Sequence, residues 1–156
     1  MNDLVLYGNG GHAKVIKDLV QKQGREVSYC FDLQHPYHEQ VLEKARLLIA
    51  IGQNDLRKKI AKEVKHDFAI LIHPTAVIAE DVEIGEGSVV LAHAVIQAGS
   101  KIGKHCIVNA NVVIDHDVKV HDFVNIYPGA YLGGGCIITE STVIEPNQVV
   151  PRNTTI

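Results

Sequence analysis

The sequence has no tryptophan, a single methionine and an aromatic fraction of 5%. A nucleic-acid surface needs stacking rings and a basic face. This chain, with a formal net charge of −3, has neither, so no nucleic-acid partner is expected. Long apolar runs are also missing. Stretches such as residues 47–51 are far too short to cross a bilayer, and no membrane partner is expected. Cysteine is scarce: Cys30, Cys106 and Cys136 are odd in number, widely spaced and form no Cys-x-x-Cys pair. That argues against a disulfide framework and suits small buried hydrophobes in a reducing compartment. Residues 1–7 have neither the charged start nor the cleavage site of a secretory leader. The expected location is the cytoplasm.

What is present changes character near Pro74. Before it, residues 4–7 read as a strand, and residues 11–23 carry Ala13, Ile16, Leu19 and Val20 at helical spacing. Residues 27–31 read as a second strand ending at Asp32, 47–51 as a third and 68–72 as a fourth. A charged amphipathic helix fits 55–64, and the unpatterned stretch 33–43 has room for a short helix. Strands alternating with helices predict a small parallel, Rossmann-like α/β domain over residues 1–72.

After Pro74 the period is six. Every sixth residue from Ile78 to Ile156 is Ile, Val or Leu, and two places before it stands a mostly small or β-branched residue such as Ala94, Ser100 or Cys106. Such a run predicts a β-helix over residues 73–156, each hexad being a short strand and a turn. First and third positions point inward, because side chains alternate along a strand. With three hexads per coil, residues 18 apart stack, and the outward positions sort by face. One face carries Val77, Val95, Val113, Tyr131 and Val149. A second carries Val89, Ile107, Asn125 and Val143. The third carries Glu83, Lys101, Lys119 and Ile137. Two apolar faces on a three-sided prism predict a cyclic homotrimer.

Three places could carry chemistry. His116 falls in a turn between Asp115 and Asp117; an exposed histidine flanked by carboxylates stays basic and can be oriented through its other nitrogen. One coil above stand Gly133, Gly134 and Gly135, whose backbone N–H groups could face a developing oxyanion. A plain solvated turn is the alternative for both. Residues 8–13, Gly-Asn-Gly-Gly-His-Ala, follow a strand and open a helix, as phosphate-binding loops do. Gly8, Gly10 and Ala13 fit a loose dinucleotide fingerprint with Asp32 downstream, but the domain is too small for a full doubly wound sheet. His116 and His121 have the spacing of the β-helical carbonic anhydrases. A third ligand has no candidate, and no metal is expected.

Several motifs together resemble one family. They are residues 6–15 (LYGNGGHAKV), residues 48–52 with Asn54 and Arg57-Lys58-Lys59, the junction 71–76 (LIHPTA), and Asn109 with residues 113–117 (VIDHD). They resemble the hexapeptide-repeat sugar O/N-acetyltransferases related to sialic-acid O-acetyltransferases and bacillosamine-pathway N-acetyltransferases. The resemblance covers nearly the whole chain. It implies a left-handed parallel β-helix, a trimer, and acetyl transfer from acetyl-CoA to the amine of a UDP-linked 4-amino-4,6-dideoxy sugar. It implies that His116 is the general base, Asp117 its orienting carboxylate and Gly134 the oxyanion donor, with Gly133, Gly134 and Gly135 along the CoA. Gly8, Gly10, Gly11 and His12 would lie near the phosphates, Asp32 near the nucleoside and Asn109 near the sugar. Sugar O-acetylation is the nearest alternative, followed by a metalloenzyme of the carbonic anhydrase kind and a non-catalytic trimer that keeps the fold.

Overall fold

The computed structural model describes residues 3–156. Met1 and Asn2, which open the segment read as lacking a leader, lie outside it. The chain begins with β1 (Leu4–Tyr7), α1 (Gly11–Lys22), β2 (Tyr29–Phe31), β3 (Arg46–Ile49) and α2 (Asn54–Glu63). The strands form a parallel sheet in the order β2-β1-β3. β1 is apolar throughout because both of its faces are covered. Leu4 and Leu6 pack with Ala13, Ile16 and Leu19 of α1, while Val5 packs with Phe31, Ile49 and Ile60 on the other side.

Two expectations for this unit need correction. Residues 33–43 form turns and no helix. The Asp32 carboxylate accepts the Gln34 and His35 amides, both at 2.9 Å, which gives the backbone a local alternative to a helix. The fourth strand of the sheet is absent. Only Phe68 bridges to Leu47, and β4 (Leu71–Ile72) pairs instead with Val89–Val90. Ile72 stands six residues before Ile78 and packs against the β-helix core, so it behaves as one more hexad.

From β5 (Val77–Ile78) to β17 (Val149–Val150) the chain is a succession of two-residue strands. They stack, together with β4, into three parallel sheets of five, five and four strands. Val113 pairs with Val95 below and Tyr131 above, the 18-residue register read from the sequence. The inward positions form one continuous core, in which Cys106 and Cys136 are buried free thiols. The inward serines are satisfied: Ser88 Oγ donates to Gly103 O at 2.8 Å and Ser100 Oγ to Asp115 O at 2.7 Å. From Gly87 to Asn153 the residue at the sixth hexad position of each corner lies in the left-handed region. Gly87, Gly99, Gly129 and Gly135 take it, and so do Asn111, Asp117, Phe123 and Ser141, with φ of 58–62°.

The α/β unit does not hang free. Val89, Leu91 and Ile107 of one β-helix face share a cluster with Leu19, Val20 and Leu71. Asn125 on that face is buried and donates to Gly52 O at 3.1 Å. The expectation of two open apolar faces is therefore corrected. One is covered from Val89 to Asn125 by the chain's own N-terminal unit, leaving Val143 45% exposed at its top, while the Val77 to Val149 face stays open, with those two valines 64% and 63% exposed.

Candidate active site

In a parallel sheet ordered β2-β1-β3 the chain adds strands on one side of β1 and then on the other, and the carboxyl ends of β1 and β3 make a crevice at that switch point. A cleft of about 780 Å³ occupies that place, lined by the 8–12 loop, Asp32, Ile51, Gly52, Leu56 and Lys59 among others. Gly8 has φ +111°, and a Cβ on it would come 2.8 Å from Ile51 Cγ1. Gly10 and Gly11 face open space. Helix α1 starts at Gly11 with no side-chain cap, so its first N–H groups are available to an anion. Asp32 also accepts from Asn9 Nδ2 at 3.2 Å. These donors, the His35 amide foremost, hold its carboxyl below the usual range. His12 differs from the simplest picture of a cationic phosphate ligand. Burial first and the nearby Arg57 second lower its pKa to about 4, so it is neutral at pH 7, and its buried Nε2 has no partner among the described residues.

The second group of residues is a corner of the β-helix. His116 sits between strands Val113–Ile114 and Lys119–Val120, with half of its side chain exposed. Its Nδ1 lies 2.8 Å from Asp117 Oδ2. Asp117 has φ +60°, and its amide donates to Ala98 O at 3.0 Å. Asp115 accepts from the His116 amide at 2.8 Å and from Tyr131 Oη–H at 2.9 Å; in that order these bonds hold its carboxyl low, and the Tyr131 phenol is raised in turn. The imidazole rests against Gly134, where a Cβ would stand 2.8 Å from Nε2. The space above the glycine is thus the seat of the ring. The Gly134 N–H makes no hydrogen bond among the described residues, while its carbonyl accepts from Asn153 N at 3.0 Å. Gly133 and Gly135 are roofed by the next turn: Cβ atoms there would meet Arg152 N and Asn153 Oδ1, each at 2.6 Å.

The remaining candidates do not gather at this corner. Asn109 belongs to another corner, and its amide is committed to Asn125 Oδ1 at 3.1 Å and Ile126 O at 2.8 Å. It reaches the cleft only through Asn125, which holds Gly52. His121 lies at the third corner, and among the described residues no three His, Cys, Asp or Glu side chains gather as a metal site. The α/β unit covers the face of Val89 and Ile107, whereas His116 stands where the other two faces meet. The cleft and the histidine are therefore separate within one chain.

A β-helix of hexads joined to an α/β unit with an anion-ready cleft is an architecture like that of the hexapeptide-repeat proteins. Residues 3–64 match the family model described as PglD N-terminal domain, and residues 81–116 match the bacterial transferase hexapeptide (six repeats). The family resemblance read from the sequence, to the hexapeptide-repeat sugar acetyltransferases, is borne out by these matches and by relatives of known name. UDP-N-acetylbacillosamine N-acetyltransferase of Bacillus subtilis is 35% identical over 113 residues, 59% of this chain and 52% of that protein. GDP-perosamine N-acetyltransferase of Escherichia coli is 24% identical over 79% of this chain and 54% of that protein. The chain spans about half the length of these curated relatives. Among solved structures, the acetyltransferase domain of PglB from Neisseria gonorrhoeae, in complex with acetyl coenzyme A, has a TM-score of 0.75 at 28% identity. That match covers 99% of this chain and 96% of that one. A histidine mutant of perosamine N-acetyltransferase from Caulobacter crescentus, in complex with CoA and GDP-perosamine, has a TM-score of 0.78 at 26% identity, covering 100% and 89%.

Proposed function

We propose that this chain is an acetyl-CoA-dependent N-acetyltransferase acting on the sugar amine of a nucleotide-linked 4-amino-4,6-dideoxy sugar. The observation that carries the reading is His116 at an exposed β-helix corner, its Nδ1 held by Asp117. A carboxylate accepting from Nδ1–H leaves the lone pair on Nε2, the nitrogen free to act as a base. The sugar amine attacks the thioester carbonyl, Nε2 takes a proton from the attacking nitrogen, the C–S bond breaks as the oxyanion collapses, and the imidazolium returns that proton to the leaving thiolate, giving the acetamide and CoA thiol. Gly134 N–H supports the reading as a donor for the transient oxyanion. Gly133 and Gly135 border the acetyl-CoA, which needs no metal for this chemistry.

The N-terminal unit, which ends before β4, holds the nucleotide. The glycines 8, 10 and 11 bring helix N–H groups to the diphosphate, His12 lies beside them as a neutral ring, and Asp32 takes a nucleoside donor. The β-helix, which begins with β4, supplies the base, with Asn109 supporting the cleft through Asn125. Because cleft and base are apart in one chain, a homotrimer is the assembly that joins them: the open Val77 to Val149 face meets a neighbour, whose α/β unit then approaches His116. Buried free thiols suit the cytoplasm. The test is thiol release from acetyl-CoA with a panel of UDP- and GDP-linked amino and hydroxy sugars. Amide formation on an amino sugar is expected. Thiol release with hydroxy sugars alone would move the reading to O-acetylation, and a folded protein inert toward all of them would end it.

A further inference from the structure

Arg57 is 1% exposed and heads the fully buried side chains by volume. All five of its N–H donors are used. Nε donates to His105 O at 2.8 Å, and Nη1 to Ile51 O and Gly52 O, both at 3.0 Å. Nη2 donates to Asn54 Oδ1 at 2.8 Å and Phe123 O at 3.2 Å. Every acceptor is neutral, and no carboxylate forms an ion pair with Arg57 among the described residues. A buried cation without a counter-charge is expensive. A neutral amide could tie the α/β unit to the β-helix at less cost, so the charge calls for its own account.

Its surroundings supply one. Ile51 and Gly52, whose carbonyls turn to Arg57, line the cleft. In a trans peptide the N–H points opposite to the carbonyl, so the amides of Gly52 and Gln53 point away from Arg57, and Gly52 itself lines the cleft. Neither donates to another described backbone or side-chain group. They lead into α2, whose start, like that of α1, has no side-chain cap. The charge is felt across the cleft wall: it is one of the two causes that keep His12 neutral.

We infer that Arg57 is the fixed positive charge of the nucleotide cleft: from behind the Ile51–Gly52 loop it turns that loop's amides outward and attracts the diphosphate of the substrate without touching it. Arg57 is thus a positioning residue, and its role rests on the nucleotide-binding reading above. Lys59 on the cleft rim is exposed, so its own field is weakened by salt, while that of a buried charge is weakened far less.

The experiment is calorimetric titration of the intact protein with UDP, GDP and the corresponding free nucleosides, from about 0.05 to about 0.5 M salt. The wild type is expected to prefer the diphosphate over its nucleoside across that range. Arg57→Gln is expected to lose diphosphate affinity at least tenfold (about 1.4 kcal/mol) with nucleoside affinity unchanged. Arg57→Lys, which keeps the charge and loses the fork, should retain most of the preference. Lys59→Ala should lose only the salt-sensitive part. Equal losses in Arg57→Lys and Arg57→Gln would reduce Arg57 to a clamp and overturn the inference. A wild-type preference that vanishes at high salt, or vanishes in Lys59→Ala, would overturn it too, and these two arms decide the matter if Arg57→Gln fails to fold. A wild type that binds no nucleotide at all would instead remove the nucleotide-binding reading, and the inference with it.

Discussion

At the scale of single residues, the proposed chemistry turns on which atoms His116 has free. Loss of a general base usually costs about a hundredfold or more. His116→Ala should therefore lower kcat by that order while nucleotide affinity, a property of the distant cleft, stays put; activity within a few-fold of wild type would remove the histidine from the mechanism. Asp117→Asn should cost less, since asparagine tolerates the left-handed backbone at φ +60° and still bonds the ring. Gly134 makes a sharper test. Its φ lies outside the left-handed region, so a side chain there strains no backbone. It does meet the imidazole. Gly134→Val should push the His116 ring off its seat and depress turnover strongly, with the thermal midpoint little changed. Full activity in this variant would show that neither the seat nor the amide matters. Much of this corner was legible in the sequence: the 18-residue stacking places Gly134 over His116 before any coordinates exist. What it could not reveal is that the glycine makes room for the ring, because that depends on the χ angles of His116.

At the scale of elements, the junction between the two units carries an acid-sensitive feature. His105 is buried between Phe68, edge-on with centroids 4.4 Å apart, and Phe123, stacked at 4.9 Å. Burial first and Arg57 next lower its pKa to about 4; Lys104 adds to this, and Glu86 and Asp122 oppose it. The unfolded histidine, near 6.5, binds its proton at higher pH than the folded one. The native state is thus unpenalised above pH 6.5, loses stability as pH falls from there, and has the full penalty below about pH 4, on the order of 3 kcal/mol. Thermal unfolding between those limits should show a midpoint falling with pH. His105→Asn should reduce that slope, the buried His12 supplying much of what is left; an unchanged slope would assign it to His12 and other groups. This junction was the least legible part of the chain. The sequence shows Arg57 only as part of an Arg-Lys-Lys run on a charged amphipathic helix, with no carboxylate or other counter-charge to mark it for burial. Two of its five acceptors are backbone carbonyls 48 and 66 residues away, which no local pattern encodes. The strand at 68–72 was misjudged for a related reason: β-propensity finds the apolar stretch, but the hexad register of Ile72 decides which sheet receives it.

At the scale of the whole molecule, the open face decides assembly. Val77, Val95, Val113, Tyr131 and Val149 run up one side of the prism, and a charge in the middle of that stripe should be intolerable to a neighbour. Val113→Glu is expected to turn a trimer into monomers in sedimentation and, because the cleft and His116 lie apart in one chain, to abolish turnover with nucleotide binding retained. A wild type that sediments as a stable monomer at micromolar concentration would defeat the argument. The hexad count made the faces readable, but it could not tell that the Val89 face was already occupied. Docking of the α/β unit is a tertiary choice between two similarly apolar surfaces, settled by Asn125 meeting Gly52 and by the Arg57 contacts at one edge.

The stacking register also fixes how this chain could change in length. A side chain keeps its face only if the residues inserted or removed below it make whole coils, since Val95, Val113 and Tyr131 share a face by virtue of their 18-residue offsets. An insertion of a single hexad near the first coil would keep every large aliphatic pointing inward, and the core would still close. It would nevertheless rotate everything above it by one side of the prism, bringing Lys101 and Lys119 under the α/β unit and exposing Ile107 to water. Growth of such a molecule is quantised twice over, by six for the core and by eighteen for the surface, and only the larger step leaves its recognition faces intact.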